Sequence, residues 1–257
     1  MLLHKEYLQV SDFKVFYLEG GERFRGEGTR IFLHGWGLTG HAFEKTVSEL
    51  ATHYHVIALD LPGFGRSDRL TRFLGYEAYA QFLNDFLKKL NIVEPHLIGQ
   101  SMGGGICLAM GALFASQVKS IVLLNSAGIP MRKLPSFKMR VQEIAEQFHQ
   151  SGYRSENWRI LNAFIYNSVK HFRFLAVSIH LPIKHDLRPL LSQIKVPCLL
   201  AWGEKDDMLP VEVAYELQKY LEKTKLVLLP EYHHEWSAVY PEKLLELVKQ
   251  FYVERDL

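Results

Sequence analysis

Residues 99–104, Gly-Gln-Ser-Met-Gly-Gly, put a serine where it could act as a nucleophile. In the G-x-S-x-G pattern the serine lies on a sharp turn between a strand and a helix, with its hydroxyl exposed. The flanks agree, because residues 96–98 read as a short apolar strand and residues 102–115 as an apolar helix rich in small residues. A serine hydroxyl is a weak nucleophile by itself, so this chemistry also requires a base and an acid that orients the base.

Candidates for the acid and the base follow two later strands. The strand that ends at Trp202 leads into a loop with Asp206 and Asp207, and the next strand leads into a loop with His233 and His234. In sites built on this pattern the chain order is serine, then acid, then histidine. A serine, a histidine and a carboxylate held together can attack and hydrolyse an acyl carbonyl. Position along the strands leaves two acids and two histidines open.

The elements that must position these residues form an α/β pattern. Short all-apolar strands alternate with helices of three- and four-residue periodicity, which predicts a mostly parallel sheet with helices on both faces. The predicted strands are a hairpin at 6–10 and 13–18, followed by 31–33, 56–59, 96–98, 121–124, 198–202 and 226–229. The predicted helices are 41–52, 76–90, 102–115, 211–221 and 242–253. Ligands of such sheets bind at the carboxyl ends of the strands, where the polar clusters fall.

Residues 129–191 interrupt this alternation and are predicted to form a helical cap over the sheet end. They contain no convincing buried strand, and residues 136–150 and 157–174 have helical spacing instead. The remainder, 1–128 and 192–257, is the predicted core domain. The cap holds ten Lys or Arg against four Asp or Glu, so it carries a charge of +6 while the whole chain carries +2.

Length and composition fit one globular domain. The chain has 257 residues, of which 48% are hydrophobic and 23% charged, and its small net charge points to no nucleic-acid partner. The longest apolar run is too short to span a membrane, and the first residues lack an apolar signal segment, so a cytoplasmic location is expected. The two cysteines, Cys107 and Cys198, lie in apolar runs and are expected to be buried thiols. No metal cluster or nucleotide motif is recognisable, so no metal or cofactor is expected.

Five motifs together resemble the α/β-hydrolase fold family over nearly the whole chain. They are His-Gly-Trp-Gly at 34–37, Asp-Leu-Pro-Gly-Phe-Gly-Arg-Ser at 60–67, the serine motif at 99–104, the Trp-Gly to Pro segment at 202–210, and a histidine seven residues before Pro241. The resemblance implies that the acid is Asp206 rather than Asp207, because the acid lies three residues after the glycine and four before the proline. It implies that the histidine is His234 rather than His233, and that both act with Ser101.

The same resemblance assigns the groups that would bind the oxyanion. These are the backbone N–H groups of Trp36 and Met102, one from the His-Gly loop and one from the residue after the nucleophile. Gly35 and Gly37 are expected to let the loop turn its amides inward, and His34 to support the loop by hydrogen bonds.

The loop at 60–68 is expected to have a structural role through Asp60, Arg66, Ser67 and Asp68. In the family that the chain resembles, members that open epoxides or displace halide have an aspartate at the position of the nucleophile. Because position 101 is a serine, the resemblance implies that these reactions are not expected.

The sequence therefore predicts a serine hydrolase of carboxylic esters or thioesters acting on a small acyl substrate. C–C bond hydrolysis and acyl transfer use the same three residues and remain open, as does a non-catalytic binding module. Size, loops and short basic cap resemble the pimeloyl-carrier-protein methyl ester esterase branch, whereas the serine motif is closer to C–C hydrolase and monoacylglycerol-lipase branches. The basic cap is either a docking surface for an acidic carrier protein or a solvated face. Charge reversal at Arg140 or Arg159 would separate these readings.

Overall fold

One sheet of eight strands forms the centre of the protein, in the order β1-β2-β4-β3-β5-β6-β7-β8. The computed structural model describes residues 2–22, 28–70, 73–130 and 154–257. The strands are β1 (His4–Val10), β2 (Phe13–Gly20), β3 (Arg30–Leu33), β4 (Val56–Leu59), β5 (His96–Gln100), β6 (Ser120–Leu124), β7 (Cys198–Gly203) and β8 (Thr224–Leu229). The predicted amino-terminal hairpin is present, and β2 pairs antiparallel with both β1 and β4. All pairings from β4 through β3 to β8 are parallel.

Helices cover both faces of the sheet, as the all-apolar strands predict. The described α-helices are α1 (Glu44–Leu50), α2 (Tyr76–Lys89), α3 (Met102–Leu113), α4 (Arg154–Lys170), α5 (Phe172–Ser178), α6 (His180–Lys184), α7 (Arg188–Leu191), α8 (Glu212–Tyr220), α9 (Trp236–Val239) and α10 (Pro241–Glu254). Alternate side chains of a strand enter opposite core clusters, so Ile31 packs with α2 and α3 whereas Phe32 packs with α1 and α10. This architecture confirms the predicted α/β class.

The helices α4 to α7, here called the inserted helices, lie between β6 and β7. The sequence predicts one helix over 157–174, and the structure corrects this, because α4 ends at Lys170 and α5 begins at Phe172. His171, between them, leaves the helical conformation with φ −120° and ψ 24°. Its buried ring makes a 3.1 Å contact with the Gly65 carbonyl of the core, a tertiary contact that periodicity does not reveal. The helix predicted at 136–150 lies outside the described residues.

Both cysteines are buried and free, and burial raises the pKa of each thiol. Among the residues that the structure describes, no three His, Cys, Asp or Glu side chains form a group that could hold a metal ion. Within the same ranges, no helix is both long enough and apolar enough to cross a membrane.

Candidate active site

Ser101 lies on the sharp turn between β5 and α3, at the carboxyl end of the strand. Its φ of 52° falls in the left-handed region, which residues other than glycine rarely adopt. Backbone hydrogen bonds hold this conformation: the Ser101 N–H donates to the Leu124 carbonyl at 3.0 Å, and the Ser101 carbonyl accepts from the N–H groups of Gly104 and Ala127. Because backbone strain persists only where the surroundings over-determine it, the turn is a candidate functional site.

Small residues around the turn allow a strand and a helix to touch. A Cβ atom on Gly103 would overlap the carbonyl oxygen of Leu33, and one on Gly99 would lie 2.5 Å from the carbonyl oxygen of Gly103. A clash with backbone cannot be relieved by a change of rotamer. The glycines of the motif are therefore needed for the close packing of α3 on β3 and β5.

Asp206 and His234 form a buried pair on the loops that follow β7 and β8. The distance between His234 Nδ1 and Asp206 Oδ2 is 2.7 Å. Because a carboxylate only accepts hydrogen bonds, Nδ1 carries the proton and Nε2 is the nitrogen left to act as a base. The second carboxylate oxygen, Oδ1, accepts from the backbone N–H groups of Met208 and Leu209 at 2.8 and 2.7 Å.

The neighbouring acid and histidine lie differently. Asp207 is exposed. The Nδ1 atom of His233 is 3.1 Å from the carbonyl of Lys205, so this ring is held against the loop backbone. The pairing of Asp206 with His234 is the arrangement that the family resemblance implied.

Asn125 is a member of the site that the sequence analysis missed. Its Nδ2 donates to Asp206 Oδ2, and its Oδ1 accepts from the Gly203 N–H at 3.1 Å and from the Trp236 indole N–H at 2.7 Å. Asn125 directly follows β6, so it lies at the same sheet edge as the other predicted residues. The sequence could have indicated Asn125 by this position, because polar residues after the apolar strands of a parallel sheet share one edge, as the loop with Asp206 does.

The serine turn and the histidine loop meet at Gln100. Its Nε2 donates to the carbonyl of His234 across 3.5 Å, and the residue directly precedes Ser101. The exposed fractions of Ser101, Asp206 and His234 are 7%, 4% and 4%. The structure thus brings the turns that carry the three predicted side chains to one buried edge of the sheet.

The turn after β3, residues 35–38, packs beside the serine and is here called the oxyanion turn, after the role that the sequence analysis expects of it. A Cβ atom on Gly35 would lie 3.1 Å from the Cβ of Ser101. The N–H of Leu38 donates to the Gly35 carbonyl at 3.2 Å and closes the turn. Met102 occupies the first position of α3, where helix geometry leaves the N–H without an acceptor inside the helix. The two segments that contain Trp36 and Met102 therefore border the serine.

His34 supports the oxyanion turn from below. Its Nε2 accepts from the Leu61 N–H at 3.0 Å, so Nδ1 carries the proton and donates to the Gly35 carbonyl at 2.8 Å. The ring is fully buried, and burial lowers its pKa to about 4. Both nitrogens of the neutral ring are thus engaged by the backbone of this turn and of the loop after β4.

The inserted helices contact the side chain of Trp36. The sequence analysis named Trp36 but did not anticipate this contact. The Trp36 indole N–H donates to Ser178 Oγ at 3.0 Å, and its ring meets that of Phe164 edge to face, with 5.8 Å between the centroids. Position along a helix does not distinguish these side chains from other polar and aromatic residues of the segment, so only the tertiary structure reveals them.

The loop at 60–68 joins separate parts of the core. The buried carboxylate of Asp60 accepts from the N–H groups of Gly40 and Arg66 at 2.7 and 2.8 Å. Burial raises its pKa to about 6, although these hydrogen bonds oppose the shift. Ser67 Oγ donates to the Asp60 carbonyl and accepts from the Phe16 N–H. These contacts fit the structural role expected for the loop.

Several of the positive charges in the inserted helices are already engaged by the protein. Arg159 pairs with Glu44 of the core at 2.6 Å, and Arg188 pairs with Asp186 at the same distance. Lys170 donates to the Gly65 carbonyl at 2.7 Å. Arg140 lies outside the described residues. Arg159 is therefore a poor probe of an external partner, because its charge reversal would also break a contact within the protein.

Comparison with known proteins agrees with the fold. The sequence model of the family described as alpha/beta hydrolase fold matches residues 31–150. The AB hydrolase superfamily protein YisY of Bacillus subtilis is 29% identical over 245 residues, which cover 86% of this chain and 90% of that protein. The pimeloyl-[acyl-carrier protein] methyl ester esterase of Vibrio vulnificus is 24% identical, over 86% of this chain and 92% of the esterase.

A third relative carries a different name. The 2-hydroxy-6-oxo-6-(2'-aminophenyl)hexa-2,4-dienoic acid hydrolase of Metapseudomonas resinovorans is 23% identical, over 98% of this chain and 91% of the relative. Among solved structures, the enol-lactonase of Burkholderia xenovorans superimposes with a TM-score of 0.82 at 20% identity, over 96% of this chain and 100% of the lactonase. The chain has the α/β-hydrolase fold, and its sequence is similar to members of the α/β-hydrolase superfamily over most of its length.

Proposed function

We propose that this protein is a serine hydrolase that cleaves a carboxylic ester or thioester through an acyl-enzyme on Ser101. The observation that carries the proposal is the buried His234–Asp206 pair, held 2.7 Å apart on the loops that meet the strained Ser101 turn. A serine on such a turn, a histidine and a carboxylate that orients the histidine together form a nucleophile, its base and the support of that base.

Acylation begins when Ser101 Oγ attacks the carbonyl carbon of the substrate. His234 Nε2 takes the hydroxyl proton, and Asp206 stabilises the imidazolium that forms. The tetrahedral intermediate collapses, the bond to the alcohol or thiol breaks, and His234 returns the proton to the leaving group. Deacylation repeats these steps with water as the nucleophile and releases the carboxylic acid and free Ser101.

The Trp36 and Met102 N–H groups would bind the oxyanion in both steps. Loss of one oxyanion donor costs about 3–4 kcal/mol of transition-state stabilisation in comparable enzymes. Because the donors belong to the backbone, substitutions of the two side chains would act on the acyl pocket and on the turn rather than on the donors themselves. In this proposal residues 129–191 form a cap over the site.

The test combines covalent labelling with turnover. A fluorophosphonate should label the wild-type chain and leave Ser101→Ala unlabelled, and short p-nitrophenyl esters should be hydrolysed by the former alone. Lack of both reactions in the folded wild-type chain would favour a binding module of the same fold. A panel of esters and thioesters of increasing acyl length, with a vinylogous 1,5-diketone as a C–C substrate, identifies the bond that is cleaved and the depth of the pocket.

A carrier-bound acyl ester is the more specific substrate that we propose. The excess of positive charge in residues 129–191 would favour an acidic carrier protein. A relative that matches over 92% of its own length is named as a pimeloyl-[acyl-carrier protein] methyl ester esterase. In the described part of this segment, Arg173 and Lys184 are exposed.

Charge reversal at these two residues tests the carrier. Arg173→Glu with Lys184→Glu should lower kcat/KM on a carrier-bound methyl ester by about tenfold through slower association. The same double variant should leave p-nitrophenyl acetate hydrolysis unchanged. Lys88→Glu with Lys89→Glu, on α2 of the core, is the matched control, because it reverses two exposed charges as well. An equal loss on both substrates, or no loss on either, would contradict a carrier docking at this surface.

A further inference from the structure

We infer that Asn167, on the inserted helix α4, is a positioning residue that holds the oxyanion turn in its working conformation. The inference rests on the proposed function, because it gives the inserted helices a part in the chemistry of that site. Asn167 is fully buried, whereas a polar residue in the middle of a surface helix is ordinarily exposed.

The side-chain amide of Asn167 joins two loops of the core. Its Nδ2 donates to the carbonyls of Gly37 and Leu38, at 2.8 and 3.0 Å. Its Oδ1 accepts from the N–H of Gly65 at 2.7 Å. The Gly65 donor fixes the orientation of the amide, because a flipped amide would place an NH₂ group against another N–H. One side chain of the inserted helices therefore holds the exit of the oxyanion turn and the neighbouring loop together.

The two ends of the oxyanion turn are held by different parts of the molecule. His34 binds the Gly35 carbonyl at the start of the turn and belongs to the core. Asn167 binds the Gly37 and Leu38 carbonyls at its end, and Ser178 holds the Trp36 indole between them. Because the Trp36 N–H lies inside a turn restrained at both ends, release of the far end would let this donor rotate away from the oxyanion.

Asn167→Asp is the sharpest test because it replaces the NH₂ donor by a carboxyl oxygen and keeps the size and shape of the side chain. The carboxyl retains an acceptor for the Gly65 N–H but faces the Gly37 and Leu38 carbonyls with oxygen. We expect kcat for p-nitrophenyl acetate to fall about 10- to 100-fold, since displacement of a reacting group by about 1 Å costs up to 100-fold. KM should change less than threefold, because so small an ester makes few contacts with the inserted helices.

Asn162→Asp is the matched control, as it makes the same change on the exposed side of the same helix. Rates are expressed per active site, counted by the end point of fluorophosphonate labelling. If Asn167 had a purely structural role, Asn167→Asp would lower the fraction of protein that is labelled. The kcat per labelled site and the labelling rate would then equal those of the control, and this result would overturn the inference. A parallel fall in kcat and labelling rate supports it, because both reactions develop charge in the oxyanion hole.

Two further measurements keep the inference separate from folding and from the proposed function. If Asn167→Asp does not fold, Asn167→Ala, which removes the amide without adding a carboxyl group, should lower kcat per site at least tenfold, and an unchanged value would overturn the inference. Amide hydrogen exchange of residues 36–38 needs no activity. Exchange should be faster in Asn167→Asp than in Asn162→Asp even if the wild-type chain hydrolyses no ester, and equal exchange would again contradict the role of Asn167.

Discussion

The two halves of the candidate site are held in place by different parts of the chain. The acid–base half, Asp206 with His234, is fixed by the core, through Asn125 and the backbone of Met208 and Leu209. The oxyanion half is fixed on one side by His34 of the core and on the other by Asn167 and Ser178 of the inserted helices.

This difference predicts how each half responds to change. Substitutions in the inserted helices should alter oxyanion stabilisation and substrate access while the Asp206–His234 pair persists. Substitutions in the loops after β6 and β7 should damage proton transfer while the oxyanion turn persists. Asn167 of α4 hydrogen-bonds the oxyanion turn itself, whereas α4 reaches the histidine loop by packing on α9, so a movement of α4 should change the oxyanion half first.

The largest expected effect comes from breaking the acid–base half. Asp206→Asn should reduce kcat for p-nitrophenyl acetate by about 10³- to 10⁴-fold, because an amide at this position favours the wrong tautomer of the histidine. Asp207→Asn, the matched control on the exposed neighbour, should stay within twofold of wild type. Steady-state kinetics on both purified variants measure this. A large loss in the control with activity retained in Asp206→Asn would reverse the assignment of the acid.

Asn125→Ala should affect stability and activity together. The substitution leaves the Trp236 indole N–H and the Gly203 N–H without their buried acceptor, and each orphaned group costs about 1–3 kcal/mol. The substitution also removes a hydrogen-bond donor from Asp206. Because a small displacement of a catalytic group can cost up to about 100-fold, we expect kcat to fall about 10-fold. Urea denaturation and ester kinetics measure the two effects, and loss of stability with full kcat would show that Asn125 supports only the fold.

The difference between the halves also explains how far sequence reasoning reaches. Ser101, Asp206 and His234 follow strands, and strand ends of a parallel sheet share one edge, so their proximity is predictable from order along the chain. Asn125 obeys the same rule but belongs to none of the five motifs. Asn167 follows no such rule, because its contacts with the oxyanion turn depend on where a helix outside the sheet packs.

The break at His171 shows the same limit within the inserted helices. Helical periodicity continues across this residue, so the sequence predicts one helix where the structure has two. A single contact between its ring and the Gly65 carbonyl accompanies the break, and local propensity contains no information about that partner. The strands and helices of the core are predictable because their apolar residues are periodic. The interface between the core and the inserted helices depends on individual contacts, which periodicity does not reveal.

His34, which holds the oxyanion turn from the core, should make a contribution to the free energy of unfolding that depends on pH. Folding lowers the pKa of His34 from 6.5 to about 4, so below pH 6.5 the unfolded chain binds a proton that the folded chain does not. Stability contributed by His34 is therefore complete above pH 6.5 and falls as the pH decreases toward 4, by up to about 3 kcal/mol. Asp60 acts in the opposite direction, since its pKa is raised to about 6 and protonation favours the folded state.

The contribution of His34 can be isolated by comparing the unfolding free energies of wild type and His34→Asn. His34→Asn cannot titrate at this position but retains Asp60, so subtracting its unfolding free energy from that of wild type removes the Asp60 contribution. Urea denaturation between pH 7 and 4.5 measures this difference. As the pH falls, the unfolding free energy of wild type should decrease relative to that of the variant. A difference that is constant with pH would mean that His34 titrates alike in the folded and unfolded chains.

The smallest effect is expected from the ion pair at the interface between the core and the inserted helices. Arg159 and Glu44 lie 2.6 Å apart, but their side chains are 37% and 28% exposed. Solvent screening limits such pairs to about 0–1 kcal/mol, so Arg159→Met should lower the melting temperature slightly and leave kcat for a small ester unchanged. Thermal denaturation at low and high salt, with kinetics alongside, measures both. The contrast with Asn167 is the informative part, since both residues join α4 to the core but only Asn167 contacts the oxyanion turn. A kcat loss in Arg159→Met as large as that in Asn167→Asp would mean that any loosening of α4 disturbs the site, and the effect could no longer be attributed to the Asn167 amide.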